Sequence, residues 1–157
     1  MNTATISDLK EELKTLSPGK LVDLCLRLSR FKKENKELLS YLLFEAHHEE
    51  GFVAGIKTEI DGLFAGINLS QLYFAKKSLR KIVRVINKYC RYSSSTQTEI
   101  DLRLYFCSLL KESGIPIERN TVISNLYHSQ LKKIDGLLKT LHEDLQYDYS
   151  RIRNSLG

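Results

Sequence analysis

The chain has 157 residues, of which 42% are hydrophobic and 27% charged, and its formal net charge is +5. This balance excludes a disordered chain, and the length predicts a single domain over residues 1–157. The N-terminal segment lacks the regions of a signal peptide and no apolar run is long enough to span a membrane, so a cytoplasmic location is expected by elimination.

The first two predicted helices are short and amphipathic. One covers about Ser7–Leu16, and a second begins after Ser17 and runs to about Phe31. Ser17 is a favourable N-cap residue, and Pro18 suits the first helical position because its fixed φ is already helical.

A third helix is predicted over Asn35–Glu50 and a fourth over Phe52–Ala65, with Gly51 ending or bending the chain between them. The sequence of Gly51–Ile56 recurs in similar form eleven residues later at Gly62–Ile67. Paired small residues one turn apart would let another backbone approach closely, but two copies are also compatible with chance similarity.

A basic helix over residues 73–92 is the most informative element. The 37 residues from Gly62 to Thr98 contain no Asp or Glu but seven Lys or Arg. A helical wheel places apolar residues on one arc and most cations nearly opposite, together with Tyr73. The cations predicted to bind a partner are Lys77, Arg80, Lys81, Arg84, Lys88 and Arg91.

Like charges repeat at i,i+4 along this helix, as in Lys77 with Lys81 and Arg80 with Arg84. Each such pair costs roughly 0.2–0.5 kcal/mol of helix stability, so something is expected to offset the repulsion. The compensating negative charge could come from two sources. Carboxylates of the same chain could cover the cations, with candidates at Glu45, Glu49, Glu50, Glu143, Asp144 and Asp148. Alternatively, an external acidic partner binds there.

Two further helices are predicted towards the C-terminus. Thr96 and Glu99 have the spacing of a capping box that opens a helix to about Glu112. A long last helix is predicted over Asn120–Ser155, because apolar residues recur at heptad spacing from Tyr127 to Ile152. This seam predicts either a long helix in a bundle or a homodimer through a coiled coil.

The whole pattern predicts an all-α fold without strands. About seven antiparallel helices would form a helical bundle or a short helical-hairpin array of the HEAT-like kind. The sequence does not separate these two architectures, because the hairpins are unequal in length and no repeat recurs.

Catalytic and metal-binding motifs are weak. The three cysteines, Cys25, Cys90 and Cys107, lack metal or redox spacing and are predicted to be buried thiols. Glu45 and His48 form one Glu-x-x-His pair of the kind used in di-iron bundles, but the second pair that such a site needs is missing. No cofactor is predicted.

The predicted function is therefore a non-enzymatic interaction or scaffold module that binds an acidic protein surface through the basic helix. A nucleic-acid-binding protein using the same face is the first alternative, because repeated cations can neutralise phosphates and Tyr73 could stack on a base. A metal-dependent bundle enzyme around Glu45 and His48 is the second alternative.

Overall fold

The computed structural model describes all residues from 1 to 157 and contains eight α-helices and no strand, which confirms the all-α prediction. The chain divides into two compact units, which we call unit 1 (residues 1–44) and unit 2 (residues 45–157). A single domain over residues 1–157 stays a prediction. No helix of the chain is both long enough and apolar enough to cross a membrane.

Unit 1 contains helices α1 (Ile6–Lys14), α2 (Pro18–Phe31) and α3 (Lys33–Ser40). Ser17 caps α2 as predicted, because its side chain accepts a hydrogen bond from the Lys20 amide. Helices α2 and α3 pack as a hairpin, and the Asn35 amide group donates to the Leu28 carbonyl at 2.8 Å. Helix α1 packs closely against neither of them.

The third predicted helix is wrong in its C-terminal half. Helix α3 ends at Ser40 and is followed by a π-helical turn at Tyr41–Glu45. The next helix starts only at Glu49, and Gly51 lies inside its first turn, where a side chain would collide with the His48 ring. Gly51 therefore gives the His48 ring room beside the helix, and the break occurs several residues earlier than predicted.

Unit 2 is a five-helix bundle. Its helices are α4 (Glu49–Ala65), α5 (Leu72–Ser93), α6 (Thr96–Glu112), α7 (Thr121–Leu138) and α8 (Glu143–Leu156). Helix α6 is central and packs on the other four, so its core side chains are fully buried, among them Ile100, Phe106 and Leu110. The N-cap of α6 is Ser95 rather than Thr96, since the Ser95 hydroxyl accepts from the Thr98 amide.

The long C-terminal helix is wrong, because two antiparallel helices replace it. Helix α7 ends at Leu138 and α8 begins at Glu143, after His142 caps it by accepting from the Asp144 amide. The Arg153 guanidinium then grips Asp135 through two hydrogen bonds of 2.7 and 2.9 Å. The heptad spacing thus arises from two helices of one hairpin that face the same core.

The Tyr127–Ile152 seam is consequently divided. Tyr127, Leu131, Ile134 and Leu138 lie in the core of unit 2, whereas Ile152 is exposed. No continuous helical seam remains for a coiled coil, and a homodimer stays a prediction that needs another surface.

The glycines of the short repeat in α4 do not bring a second backbone close to the helix. Side chains added at Gly55 or Gly62 would meet open space, and both residues are exposed. The close-approach interpretation is therefore wrong.

Candidate interaction surface on helix α5

Helix α5 is amphipathic because its apolar residues recur at helical spacing and its cations fall between them. The core side holds seven buried residues: Ala75, Leu79, Ile82, Val83, Ile86, Cys90 and Tyr92. The other side carries five exposed cations, which we call the basic face: Lys77, Arg80, Lys81, Arg84 and Arg91. Burial of one side thus fixes which side meets solvent.

Lys88 differs from the other predicted cations. It is half-buried, and its ammonium group lies 4.5 Å from the centre of the Tyr89 ring. Lys88 therefore lies in line with the cations of the basic face but is less exposed than they are. Tyr73 is 61% exposed, and the Lys77 ammonium lies 4.6 Å from the centre of its ring.

No carboxylate of the chain forms an ion pair with any cation of the basic face. None of the six acidic candidates forms an ion pair with a cation of the basic face. Glu49, for example, accepts hydrogen bonds from the hydroxyls of Ser93 and Thr98 at the far end of α5. The like-charge repulsion among the five cations of the basic face is therefore not offset by ion pairs within the molecule.

A shallow groove of about 590 Å³ lies beside the basic face, where α5 meets α7. Val83 and Leu126 supply its apolar part, and Lys77, Arg80 and Arg84 supply its charges. The sequence did not indicate the contribution of Leu126, because a half-buried leucine on one helix does not reveal which neighbour it meets. The arrangement can hold an apolar side chain flanked by anions.

A buried polar network holds α5 in place, and the sequence analysis did not predict it. The Arg103 side chain is only 3% exposed and donates hydrogen bonds to Glu99, Gln130 and Asn87. These residues lie on α6, α7 and α5, so a single guanidinium connects three helices. The signal was present, since Arg103 falls on the apolar arc of α6 and is four residues after Glu99.

A second cavity, of about 480 Å³, lies between α4, α6 and the Tyr149 side chain of α8. Glu49, Glu50 and Asp101 line it together with Lys57. Burial, reinforced by the Asp101 carboxylate, raises the pKa of Tyr149 to about 12. The tyrosine therefore stays neutral and adds no further negative charge beside the carboxylates.

The predicted metal pair is not assembled into a larger cluster. Glu45 ends the π-helical turn, whereas His48 occupies the N-cap position of α4, so the two do not share one helix. No group of three or more His, Cys, Asp or Glu side chains is positioned to hold a metal ion.

The thiols divide into two kinds. Cys90 and Cys107 are buried as predicted, and burial raises the pKa of each to about 12. The same prediction is wrong for Cys25, which is exposed on α2. A buried thiol with such a pKa is a poor nucleophile at neutral pH.

Comparison with known proteins adds no family to this description. No protein-family model, curated protein or solved structure matches the chain.

Proposed function

We propose that this protein is a non-enzymatic interaction module that binds an acidic segment of a partner protein along the basic face of α5. The observation that carries the proposal is the set of five exposed cations without an intramolecular ion pair. An acidic ligand would offset their mutual repulsion, and arginines can grip carboxylates with two parallel hydrogen bonds.

The groove beside the basic face supports a protein ligand in particular. Its apolar part at Val83 and Leu126 would accept a hydrophobic side chain, while Lys77, Arg80 and Arg84 would meet flanking carboxylates. An amphipathic helix with acidic flanks has this combination of groups. A phosphate backbone alone would leave the apolar part uncovered.

A nucleic-acid ligand remains the second candidate, on the evidence of exposed aromatic rings. Tyr73 and Phe74 are 61% and 47% exposed at the start of the basic helix, and their rings pack edge to face. Such rings could stack on unpaired bases next to a cationic surface.

The test is a titration with three labelled probes, followed by fluorescence anisotropy. The probes are an amphipathic Glu/Leu helical peptide, the same peptide with every Glu replaced by Gln, and a single-stranded RNA. We expect the Glu/Leu peptide to bind, and to bind more weakly at about 200 mM than at about 50 mM salt because the contacts are ionic.

The decisive variant is Arg80→Glu with Arg84→Glu. It should weaken binding of the acidic peptide about tenfold or more, since two attractive contacts become repulsive. The matched control is Arg119→Glu with Arg151→Glu, which makes the same charge change at two exposed sites that are not part of α5. Equal loss in both variants would reduce the effect to net charge and contradict the proposal, and binding of RNA alone would favour the second candidate.

A further inference from the structure

Unit 1 leaves most of its large apolar side chains open to solvent. At the end of α2 and on the π-helical turn, Phe31 is 77% exposed, Phe44 68% and Leu43 60%. Tyr41 is the one buried residue among residues 1–44. Exposed apolar patches mark sites that meet a protein or a membrane, because side chains of this size gain free energy when they leave water.

One groove of unit 1 combines apolar side chains with positive charge. It has a volume of about 680 Å³ and lies between the end of α2 and the segment formed by α3 and the π-helical turn. Its apolar lining residues are Leu26, Leu39, Leu43 and Phe44. Its basic lining residues, which we call the groove cations, are Arg30, Lys32, Lys33 and Lys36.

No carboxylate lines this groove. Glu34 and Glu45 lie close in sequence but are not among its lining residues. Lys33 reaches Glu37 at 3.5 Å, but the lysine side chain is 85% exposed, so solvent screens this pair and it contributes little. The other groove cations form no ion pair within the molecule, namely Arg30, Lys32 and Lys36. The groove therefore presents positive charge that an anionic surface can meet.

The residues beside the groove favour a membrane surface over a protein ligand. Phe31 and Leu42 adjoin lining residues in sequence and are 77% and 56% exposed, yet neither lines the groove. An acidic peptide seated in the groove would leave both side chains in water. A bilayer interface needs no complementary shape, so it can accept Phe and Leu side chains from two elements while its anionic headgroups meet Lys and Arg.

We propose that unit 1 binds the surface of a membrane that contains anionic phospholipid, with the α2–α3 groove facing the lipid. Leu43 and Phe44 enter the interfacial region, and the groove cations meet the phosphates of the headgroups. None of these residues belongs to the basic face of α5, so this proposal does not rest on the proposed function.

The first experiment is cosedimentation of the full chain with vesicles of phosphatidylcholine, alone or mixed with phosphatidylglycerol. Wild type should bind only the vesicles that contain the anionic lipid. Arg30→Glu with Lys36→Glu should weaken this binding about thirtyfold or more, because each cation beside an anionic surface contributes severalfold to the affinity. Arg30→Lys with Lys36→Arg keeps both charges and should bind as wild type does.

Two further charge variants separate the groove from α5 and from net charge. Arg80→Glu with Arg84→Glu and Arg119→Glu with Arg151→Glu make the same charge change as the groove variant. Each should weaken vesicle binding by less than about threefold, because at about 150 mM salt the charges that do not meet the headgroups are largely screened.

Insertion of the apolar side chains can be measured separately, because the chain contains no Trp. Phe44→Trp places a single fluorophore at the groove, and Tyr147→Trp places one on α8 at a site that is 69% exposed in wild type. Emission of the Phe44→Trp variant should shift to shorter wavelength with anionic vesicles, since the indole leaves water, whereas emission of Tyr147→Trp should not shift. This measurement needs no charge reversal, so it tests the proposal even if the groove substitutions disturb folding.

Four results would overturn the proposal. Wild type could bind neither kind of vesicle, or both equally well. Arg80→Glu with Arg84→Glu could lose as much binding as the groove variant, which would assign the vesicles to the basic face. Emission of Phe44→Trp could stay unchanged on vesicles that bind the chain, which would reduce the contact to attraction between charges. Dimers in sedimentation without lipid, together with short-wavelength emission from Phe44→Trp, would assign the groove to a second copy of the chain.

Discussion

Units 1 and 2 use similar amphipathic helices but bury them to different extents. In unit 2, the core cluster draws on all five helices, and residues such as Ile60, Leu79 and Phe106 are fully buried. In unit 1, the apolar residues of α1 and α2 remain half-buried or exposed. The difference teaches that helical periodicity identifies an apolar side but not what covers it, since covering depends on how many neighbours the fold supplies.

The largest contrast between the units should appear in thiol reactivity. Cys90 and Cys107 have a pKa of about 12, so at pH 8 only about 10⁻⁴ of each is thiolate, whereas Cys25 is exposed on α2. With a disulfide reagent such as Ellman's, one thiol per native chain should react rapidly and the other two only after unfolding. Three fast thiols in the native protein would contradict the difference in burial.

Cys25→Ser provides the matched control for this measurement. The variant should lose the fast phase and keep the two slow thiols, because serine at an exposed position leaves the core of unit 2 unchanged. A fast phase that survives the substitution would mean that the core of unit 2 opens readily.

A pair of identical substitutions should give the next largest contrast. Leu110 is fully buried in unit 2, and Leu110→Ala should cost about 2–5 kcal/mol of unfolding free energy through lost contacts and a residual cavity. Leu28 is 60% exposed in unit 1, and Leu28→Ala should change the same quantity by less than about 0.5 kcal/mol. Urea unfolding followed by far-UV circular dichroism measures both.

Equal losses of unfolding free energy from the two leucine substitutions would show that Leu28 is covered in solution. The two units would then not differ in burial at these positions. Helix content in the absence of urea should match wild type in both variants, which ensures that the two unfolding curves start from the same state.

The smallest expected effect concerns the start of α1. Hydrogen bonds from the Thr5 side chain and backbone hold the pKa of Asp8 below its ordinary value of 3.8. A lowered pKa means that the capping contribution is fully present above pH 3.8 and is lost as the pH falls through the folded-state pKa. Titration of Asp8 by NMR should show the lowered value.

Thr5→Val should return the Asp8 pKa towards 3.8, because valine cannot donate the side-chain hydrogen bond. An unchanged Asp8 pKa in the variant would mean that the capping box does not form in solution.

Much of the fold could be predicted from local signals. The start of α2 was predicted because Ser17 and Pro18 act through their own backbone, and the ends of α5 and α6 were predicted to within about two residues. The break before α8 was missed because its stop signal is weak. Thr140 and His142 satisfy the backbone there without any Gly or Pro, and the apolar spacing continues across the turn.

The candidate site also has features that local sequence signals predict and features that they do not. Exposure of Arg80 and Arg84 follows from amphipathicity alone, since the opposite side of α5 must be buried. Whether a carboxylate reaches them depends on the packing of other helices, which no local pattern contains. The half-burial of Lys88 beside Tyr89 could not be predicted for the same reason, because it depends on how the end of α5 is packed.

The buried guanidinium of Arg103 has a consequence for the outside of the molecule. Asn87 lies one turn after Arg84 on α5 and is tied at 2.9 Å to that guanidinium. If α5 rotated about its own axis, this hydrogen bond would break and the arginines of the basic face would turn towards the apolar core of unit 2. The hydrogen bonds of Arg103 thus fix the rotation of α5 about its axis. The direction in which the basic face points is therefore set by a buried guanidinium that no ligand can reach.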